Sequence, residues 1–202
     1  MKIQYLGHAC FKLSSGDNSL IIDPYQDGSV PGLEPLREEA TRVITSHQHA
    51  DHYGIECIKI VRGNPDIFKI SPISTWHDDQ QGALRGSNTI HIVECEGYRI
   101  AHFGDLGCSL SDVEKQLLKD LDVIMIPVGG YFTIDANQAA EIIKELSPKC
   151  AIPMHYRGSD FGYDVLATVD LFAHHFTDVR ETDDTIELSE DLPEVVVMNF
   201  KR

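Results

Sequence analysis

His47-Gln48-His49-Ala50-Asp51-His52 breaks into the chain just after a short apolar run, Arg42 to Ser46, and its spacing decides how the rest is read. In an extended segment alternate side chains point the same way, so His47 and His49 present both imidazoles to one point and Asp51 falls on the same side. Two imidazoles and a carboxylate make a metal site. Asp51 and His52 are adjacent, which directs their side chains apart unless the chain turns, and such a break suits a second ion beside the first. Nitrogen and carboxylate donors without thiolate favour Zn²⁺, Mn²⁺ or Fe²⁺ over soft-metal or iron–sulfur chemistry.

Working outward, the polar residues recur where strands run out. Period-two polarity marks strands at Lys2 to Leu6, Ala9 to Leu13 and Leu20 to Ile22, the last two joined by the turn-rich Ser14-Ser-Gly-Asp-Asn18 and the third closed by Asp23-Pro24. Further strands are expected at Ile67 to Ile70, Thr89 to Glu94, Tyr98 to Phe103, Asp122 to Pro127, Cys150 to Met154, Thr185 to Leu188 and Glu194 to Phe200. Ser111-Asp-Val-Glu114 has the form of a capping box, and Asp135 can cap a helix over Ala136 to Leu146 that Pro148 stops. Ile55 to Val61 is apolar enough for a helix, and Tyr163 to Phe172 carries apolar residues at helical spacing. Strands interleaved with helices predict an α/β layered fold. His77, Asp105 and His155 each follow an extended stretch, and in such folds sites gather beyond the carboxyl ends of strands. One convergent cluster accounts for them.

The 202 residues suit one domain, with no linker, repeat or biased segment to divide them. Lys+Arg 17 against Asp+Glu 32 leaves a formal charge of −15, which opposes a general grip on nucleic acid or an anionic membrane. Cysteines at 10, 57, 95, 108 and 150 form no Cys-x-x-Cys pair and read as reduced, mostly buried thiols, a cytoplasmic pattern. Met1 to Leu13 alternates in polarity where a signal peptide would be continuously apolar, and the longest apolar run, Val123 to Val128, is too short to span a bilayer.

The ordered set of HxHxDH, a His after an extended segment, Gly104-Asp105 closing a strand and Pro153-Met-His155 resembles the metallo-β-lactamase fold. Tyr5-Leu-Gly-His8-Ala-Cys-Phe11 and Leu20-Ile-Ile-Asp23-Pro24 look like its small ascorbate-6-phosphate-lactonase-like branch. The resemblance covers essentially the whole chain, and implies one hydrolase domain over residues 1–202, an αββα sandwich of two mixed sheets flanked by helices, with a two-metal site at one edge. Carried over by position, it assigns His47, His49 and His77 to one metal, Asp51, His52 and His155 to the other, and Asp105 as the bridge. His91 and His102 compete with His77 for the third motif. His77 is preferred because it ends an extended run, whereas His91 lies inside an alternating strand, and His102 either supports a ligand from behind or is a satisfied core residue. Asp23 matches the family's buried Asp that orients the HxHxDH loop.

Hydrolysis follows from such a centre. Two cations roughly 3.5–4 Å apart share a bridging hydroxide, polarise the substrate's oxygen and stabilise the charge that develops on attack. Asp51 can accept the water's proton, and by resemblance His8 is the candidate acid for the leaving group. Arg85 and Arg157 are candidate anchors for a substrate phosphate or carboxylate. The expected substrate is a small ester, lactone or phosphodiester. A nuclease is the alternative, set back by the acidic charge, and a non-catalytic metal-binding protein or a di-iron redox protein is the other. No nucleic-acid or membrane partner is expected, and a homo-oligomer is compatible with the sequence.

Overall fold

Period-two polarity at the amino terminus folds as an antiparallel meander of β1 (Lys2–Gly7), β2 (Cys10–Ser15) and β3 (Asn18–Ile22). The computed structural model describes residues 1–189 and 191–200. Next come β4 (Glu38–Ala40), β5 (Arg42–Ile44), β6 (Ile58–Ile60), β7 (Lys69–Trp76), β8 (Ser87–Cys95) and β9 (Tyr98–His102). The second half runs α1 (Asp112–Leu117), β10 (Val123–Pro127), α2 (Ala136–Leu146), β11 (Cys150–Met154), α3 (Asp170–Ala173), β12 (Val179–Thr182), β13 (Thr185–Glu187) and β14 (Val195–Met198).

Two sheets form an α/β sandwich. One has the order β13-β1-β2-β3-β5 and the other β12-β14-β11-β10-β9-β8-β7, while β4 and β6 pair as a separate ribbon. Ile3, Tyr5, Phe11, Leu13 and Leu20 from the first sheet and Ile90, Ile92, Ile100, Val123 and Ile152 from the second belong to one buried cluster, so each sheet supplies a wall of the core. The strands β9, β10, β11, β14 and β12 run parallel, and β10 and β11, inside that run and buried at every residue, read as unbroken apolar stretches for that reason. The expected capping box forms, with Ser111 accepting from Glu114 N, and the expected cap Asp135 accepts from Gln138 N and makes a second box with it. α2 turns Ala136, Ala139, Ala140 and Ile143 inward.

Two expected helices fold otherwise. Residues 55–61 form a single 3-10 turn followed by β6, because Ile58, Ile60 and Val61 are β-branched and the segment finds a parallel partner in β4, Glu38 opposite Ile58. The outer face of the first sheet is consequently covered by the loop after β3 and this ribbon, with Tyr25, Val30, Leu36 and Ile58 packed against Cys10 and Ile21. Residues 163–172 yield only the short α3. Their backbone is engaged elsewhere: Ala167 N donates to Gly129 O and Arg157 N to Ala167 O. β7 is longer than the polarity of its first residues suggests, pairing from Lys69 opposite Glu94 to Trp76 opposite Ser87. It tolerates Pro72 because it is the edge strand. β12 carried no signal that the sequence reading used. Among the described residues no helix is long and apolar enough to cross a membrane, and all five cysteines are free.

Candidate metal centre

Six polar residues stand just beyond strand ends at one edge of the sandwich: His8 after β1, Asp23 after β3, His47 after β5, His77 after β7, Asp105 after β9 and His155 after β11. The HxHxDH segment is not extended as its spacing suggested. It bends and closes a turn in which His52 N donates to His49 O at 2.9 Å, and this turn brings the adjacent Asp51 and His52 to the same side. The chain accepts unusual backbone geometry to do so. His8, Asp23 and His155 have positive φ angles of 56°, 51° and 53°, each costing about 1–3 kcal/mol in a non-glycine residue. Gly104, at φ +54°, admits no side chain, because a Cβ there would lie 2.3 Å from Asn88 Oδ1 and 2.5 Å from Ser46 Cβ.

The donor atoms fall into three overlapping sets: His8, Asp51, His52 and His155; His47, His49 and His77; and His47, His52 and Asp105. Within each, the atoms lie within 4.8 Å of one another. Asp105 belongs to both halves. Its Oδ2 is 3.1 Å from His77 Nε2 and 3.2 Å from His155 Nε2, and its Oδ1 is 3.2 Å from His52 Nε2. None of these approaches has hydrogen-bond geometry, and His47 Nε2, His52 Nε2, His155 Nε2 and Asp105 Oδ1 are buried without a partner. Buried polar atoms are normally paired. Two ligands at about 2.1 Å from a tetrahedral ion sit about 3.4 Å apart, so atoms spaced like this fit a shared cation better than they fit one another.

Behind the donors, Asp23 holds the loop. Its carboxylate accepts from Ser46 N at 2.6 Å, Ser46 Oγ at 2.6 Å and His52 Nδ1 at 2.8 Å. That last bond leaves His52 Nε2 facing Asp105. Burial alone would raise Asp23, but the bond from His52 and its charge outweigh this and bring it to about 2. Asp51 and Asp105 follow the same logic: burial opposes ionisation, yet His8 and His52 hold Asp51, and His155 and His52 hold Asp105, well below the usual carboxylate range. His47 is pushed down to about 3 by burial and by His52, and His8 to about 4 by burial and by His155. His52 moves the opposite way: burial lowers it, but Asp105 and Asp23 more than compensate and raise it.

The competition for the third motif resolves in space. His91 Nε2 is spent on Thr45 O at 2.9 Å, and His102 Nε2 on Ala9 O at 2.8 Å, while His102 Nδ1 accepts from Gly104 N. His77 is the one that reaches the cluster. With both ring nitrogens engaged by the backbone, His102 is a satisfied core residue, its Nδ1 3.9 Å from Asp23 Oδ2 and outside hydrogen-bond reach. His8 Nε2 lies 3.2 Å from Asp51 Oδ2. A cavity of about 260 Å³ opens over His49, Asp51, His77 and Asp105, and Arg85, Phe132 and Tyr163 complete its lining. Arg157 does not line it; its Nε donates to Leu166 O at 2.7 Å. Neither does His8. Three contributors escaped the sequence reading. Asn88 accepts from Asp105 N and donates to Phe103 O and Thr75 Oγ1, Ser46 links Asp23 to His47 Nδ1, and Tyr163 donates to Ser29 O beside Asp51. Each was one polar or aromatic residue without a motif around it.

Residues 2–155 match the family described as beta-lactamase superfamily domain. The chain is 30% identical over 197 residues to a UPF0173 metal-dependent hydrolase of Archaeoglobus fulgidus, covering 77% of this chain and 83% of that one. It is 28% identical over 191 residues to another from Thermococcus onnurineus, covering 77% and 84%. Among solved structures, it is similar to a Thermotoga maritima protein classed with Zn-dependent hydrolases of the metallo-β-lactamase superfamily, at 29% identity and TM-score 0.79 over 99% of both chains. At 12% identity and TM-score 0.56, human tRNase Z, short form, over 77% of this chain and 92% of its own, shares the fold alone.

Proposed function

This chain belongs to the beta-lactamase superfamily domain family and is a metal-dependent hydrolase, and from that premise we propose that it cleaves a small ester, lactone or phosphodiester at a centre of two divalent ions. Zn²⁺ is the foremost candidate, with Mn²⁺ and Fe²⁺ as alternatives. One observation carries the two-ion reading: Asp105 Oδ2 lies 3.1 Å from His77 Nε2 and 3.2 Å from His155 Nε2, one imidazole from each of the two ligand sets, in contacts that are not hydrogen bonds. His47, His49 and His77 would hold one ion and Asp51, His52 and His155 the other, with Asp105 between them. Bound there, such ions acidify water toward neutrality and polarise a substrate oxygen.

The chain's own groups do the remaining work. Asp51 lines the cavity and stays ionised at neutral pH, so its carboxylate is placed to take the attacking water's proton. His8 is neutral at pH 7 and directs Nε2–H at Asp51, which makes it the group that orients Asp51. That role suits its geometry better than donation to a leaving group, because it does not reach the cavity. Asp23 fixes the His52 tautomer through Nδ1. The cavity is slightly smaller than the usual range of about 300–1,000 Å³, in keeping with a small substrate, and the −15 charge disfavours a nucleic acid. The Tyr5 to Phe11 and Leu20 to Pro24 motifs favour the ascorbate-6-phosphate-lactonase-like branch, and five free thiols favour the reducing cytoplasm.

The test combines elemental analysis with a screen of nitrophenyl esters, bis-nitrophenyl phosphate and lactones. Two divalent ions per chain are expected, with hydrolysis that chelation removes and metal restores. A protein that saturates with one ion, Asp105→Ala leaving that stoichiometry unchanged, would overturn the two-ion reading.

A further inference from the structure

The rest of the cavity lining is chemically distinct from the metal-facing residues. Arg85 there is half-buried, in a chain with nearly twice as many acids as bases, and among the described residues its guanidinium makes no ion pair. It lies over the Phe132 ring, 5.1 Å from the centroid, and Phe132 meets Tyr163 edge-on at 5.8 Å. A cation resting on an aromatic face keeps its N–H donors free for a planar oxyanion.

Arg85 does not sit on a loose loop. The segment from His77 to Gly86 wraps around the buried carboxylate of Asp78, whose Oδ1 accepts from Gln80 N and Gly82 N, both at 2.9 Å. Its Oδ2 accepts from Leu84 N at 3.0 Å and Arg85 N at 2.7 Å. Gly86 N closes onto Gly82 O, and His77 N donates to Gly86 O. Four main-chain donors on one carboxylate fix the backbone of Arg85 relative to His77, the adjacent residue of the metal cluster. No other role for Asp78 is visible, since it does not line the cavity.

Resting on the hydrolase reading above, we propose that Arg85 is the anion-binding residue of the substrate pocket, that Asp78 is the positioning residue which aims it, and that the substrate is a small molecule bearing an oxyanion, carboxylate or phosphate, apart from the bond that is cleaved. Phe132 and Tyr163 flank the connecting part of that molecule. The metal-facing residues act on the scissile group and Arg85 selects what is attached to it.

The metal-loaded protein is assayed with two esters of similar size, 4-nitrophenyl hydrogen succinate, which ends in a carboxylate, and neutral 4-nitrophenyl butyrate. The succinate ester is expected to have the higher kcat/KM. Arg85→Ala should cut the succinate-to-butyrate ratio at least tenfold, mostly through KM, since a charge-assisted hydrogen bond lost on binding is worth roughly tenfold to a hundredfold. Arg85→Lys should keep part of the preference. Asp78→Asn should lower the same ratio, because an amide keeps one accepting oxygen and turns an NH₂ toward two N–H donors. Arg85→Ala leaves the four bonds to Asp78 in place, so its result stands even if Asp78→Asn fails to fold.

A wild-type ratio at or below one, or Arg85→Ala slowing both esters equally, would overturn the proposal. Should neither ester be cleaved, the hydrolase reading fails for esters, and binding decides the inference separately. Trp76, the one tryptophan, packs its ring against Gly82 of the same loop, so its fluorescence can follow titration with phenyl phosphate and phenylacetate. A Kd weakened at least tenfold by Arg85→Ala for either probe supports the anion site and identifies the oxyanion it prefers. Equal affinity in wild type and variant for both refutes it.

Discussion

Asp23→Asn isolates how a buried carboxylate prepares a metal ligand. Asn is close to an isostere of the protonated acid, so the change removes the charge and one accepting oxygen while keeping the shape. The wild-type carboxylate accepts from Ser46 N, Ser46 Oγ and His52 Nδ1. With Asn, the oxygen can keep Ser46 N, but the NH₂ then faces His52 Nδ1, and that nitrogen must become an acceptor. The single proton of the neutral, metal-binding imidazole then belongs on His52 Nε2, the atom aimed at Asp105 and at the proposed ion. Two magnitudes follow. Asp23 drops from the ordinary 3.8 to about 2 on folding, which corresponds to roughly 2 kcal/mol of stability at pH 7 that Asn cannot supply. A folded value lowered in this way contributes above the unfolded value and is lost as pH falls through about 2, so wild type and variant should converge in strong acid. Metal affinity should fall roughly 10- to 100-fold, as is usual when a partner behind a ligating His is lost. Chelator-competition titration with Zn²⁺ reads this directly, and one of two phases should carry most of the loss, because Asp23 bonds His52 directly, reaches His47 only through Ser46 and touches neither His49 nor His77. Unchanged Zn²⁺ affinity, or an equal loss in both phases, would refute the tautomer argument.

Asp105→Ala should lower metal stoichiometry and reduce kcat far more than Arg85→Ala, because Asp105 faces both halves of the cluster whereas Arg85 touches only the cavity; the reverse order in kcat would sink the two-metal account. Metal-free protein should be acid-labile from about pH 6.5 downward. His8 and His47 fall to about 4 and about 3 on folding, so between those values and the unfolded value of about 6.5 the unfolded chain binds the extra protons and stability declines with pH. The raised His52 opposes this, its contribution being present at low pH and lost as pH rises. Guanidinium midpoints at pH 7, 6 and 5 that do not move would contradict the sum. Binding to single- or double-stranded nucleic acid should be weak even in low salt, and turnover of a neutral ester should change little with added salt; tight binding with a steep salt slope would put the nuclease reading first.

Much of this molecule is written locally. The alternation of Lys2 to Leu13 needs no distant partner to be recognised as strand, and Ser111 with Glu114 and Asp135 with Gln138 cap their helices within one turn. HxHxDH states its chemistry in six residues, and the placement of His77, Asp105 and His155 after strands told where they would meet. What local pattern could not decide were choices made by long-range pairing. Residues 55–61 have enough apolar content for a helix, but β4 offered them a ladder. Residues 163–172 have helical spacing, but Gly129 and Arg157 claimed the backbone. His77, His91 and His102 are alike as residues; only the fold spends His91 on Thr45 and His102 on Ala9 and leaves His77 for the cluster. Arg85 and Arg157 were equivalent candidates until the loop around Asp78 turned one into the cavity and Leu166 O engaged the other. Residue type and spacing determine which atoms can take part in the chemistry, whereas which of them do depends on partners contributed from far along the chain, and those partners exist only once the sheets have packed.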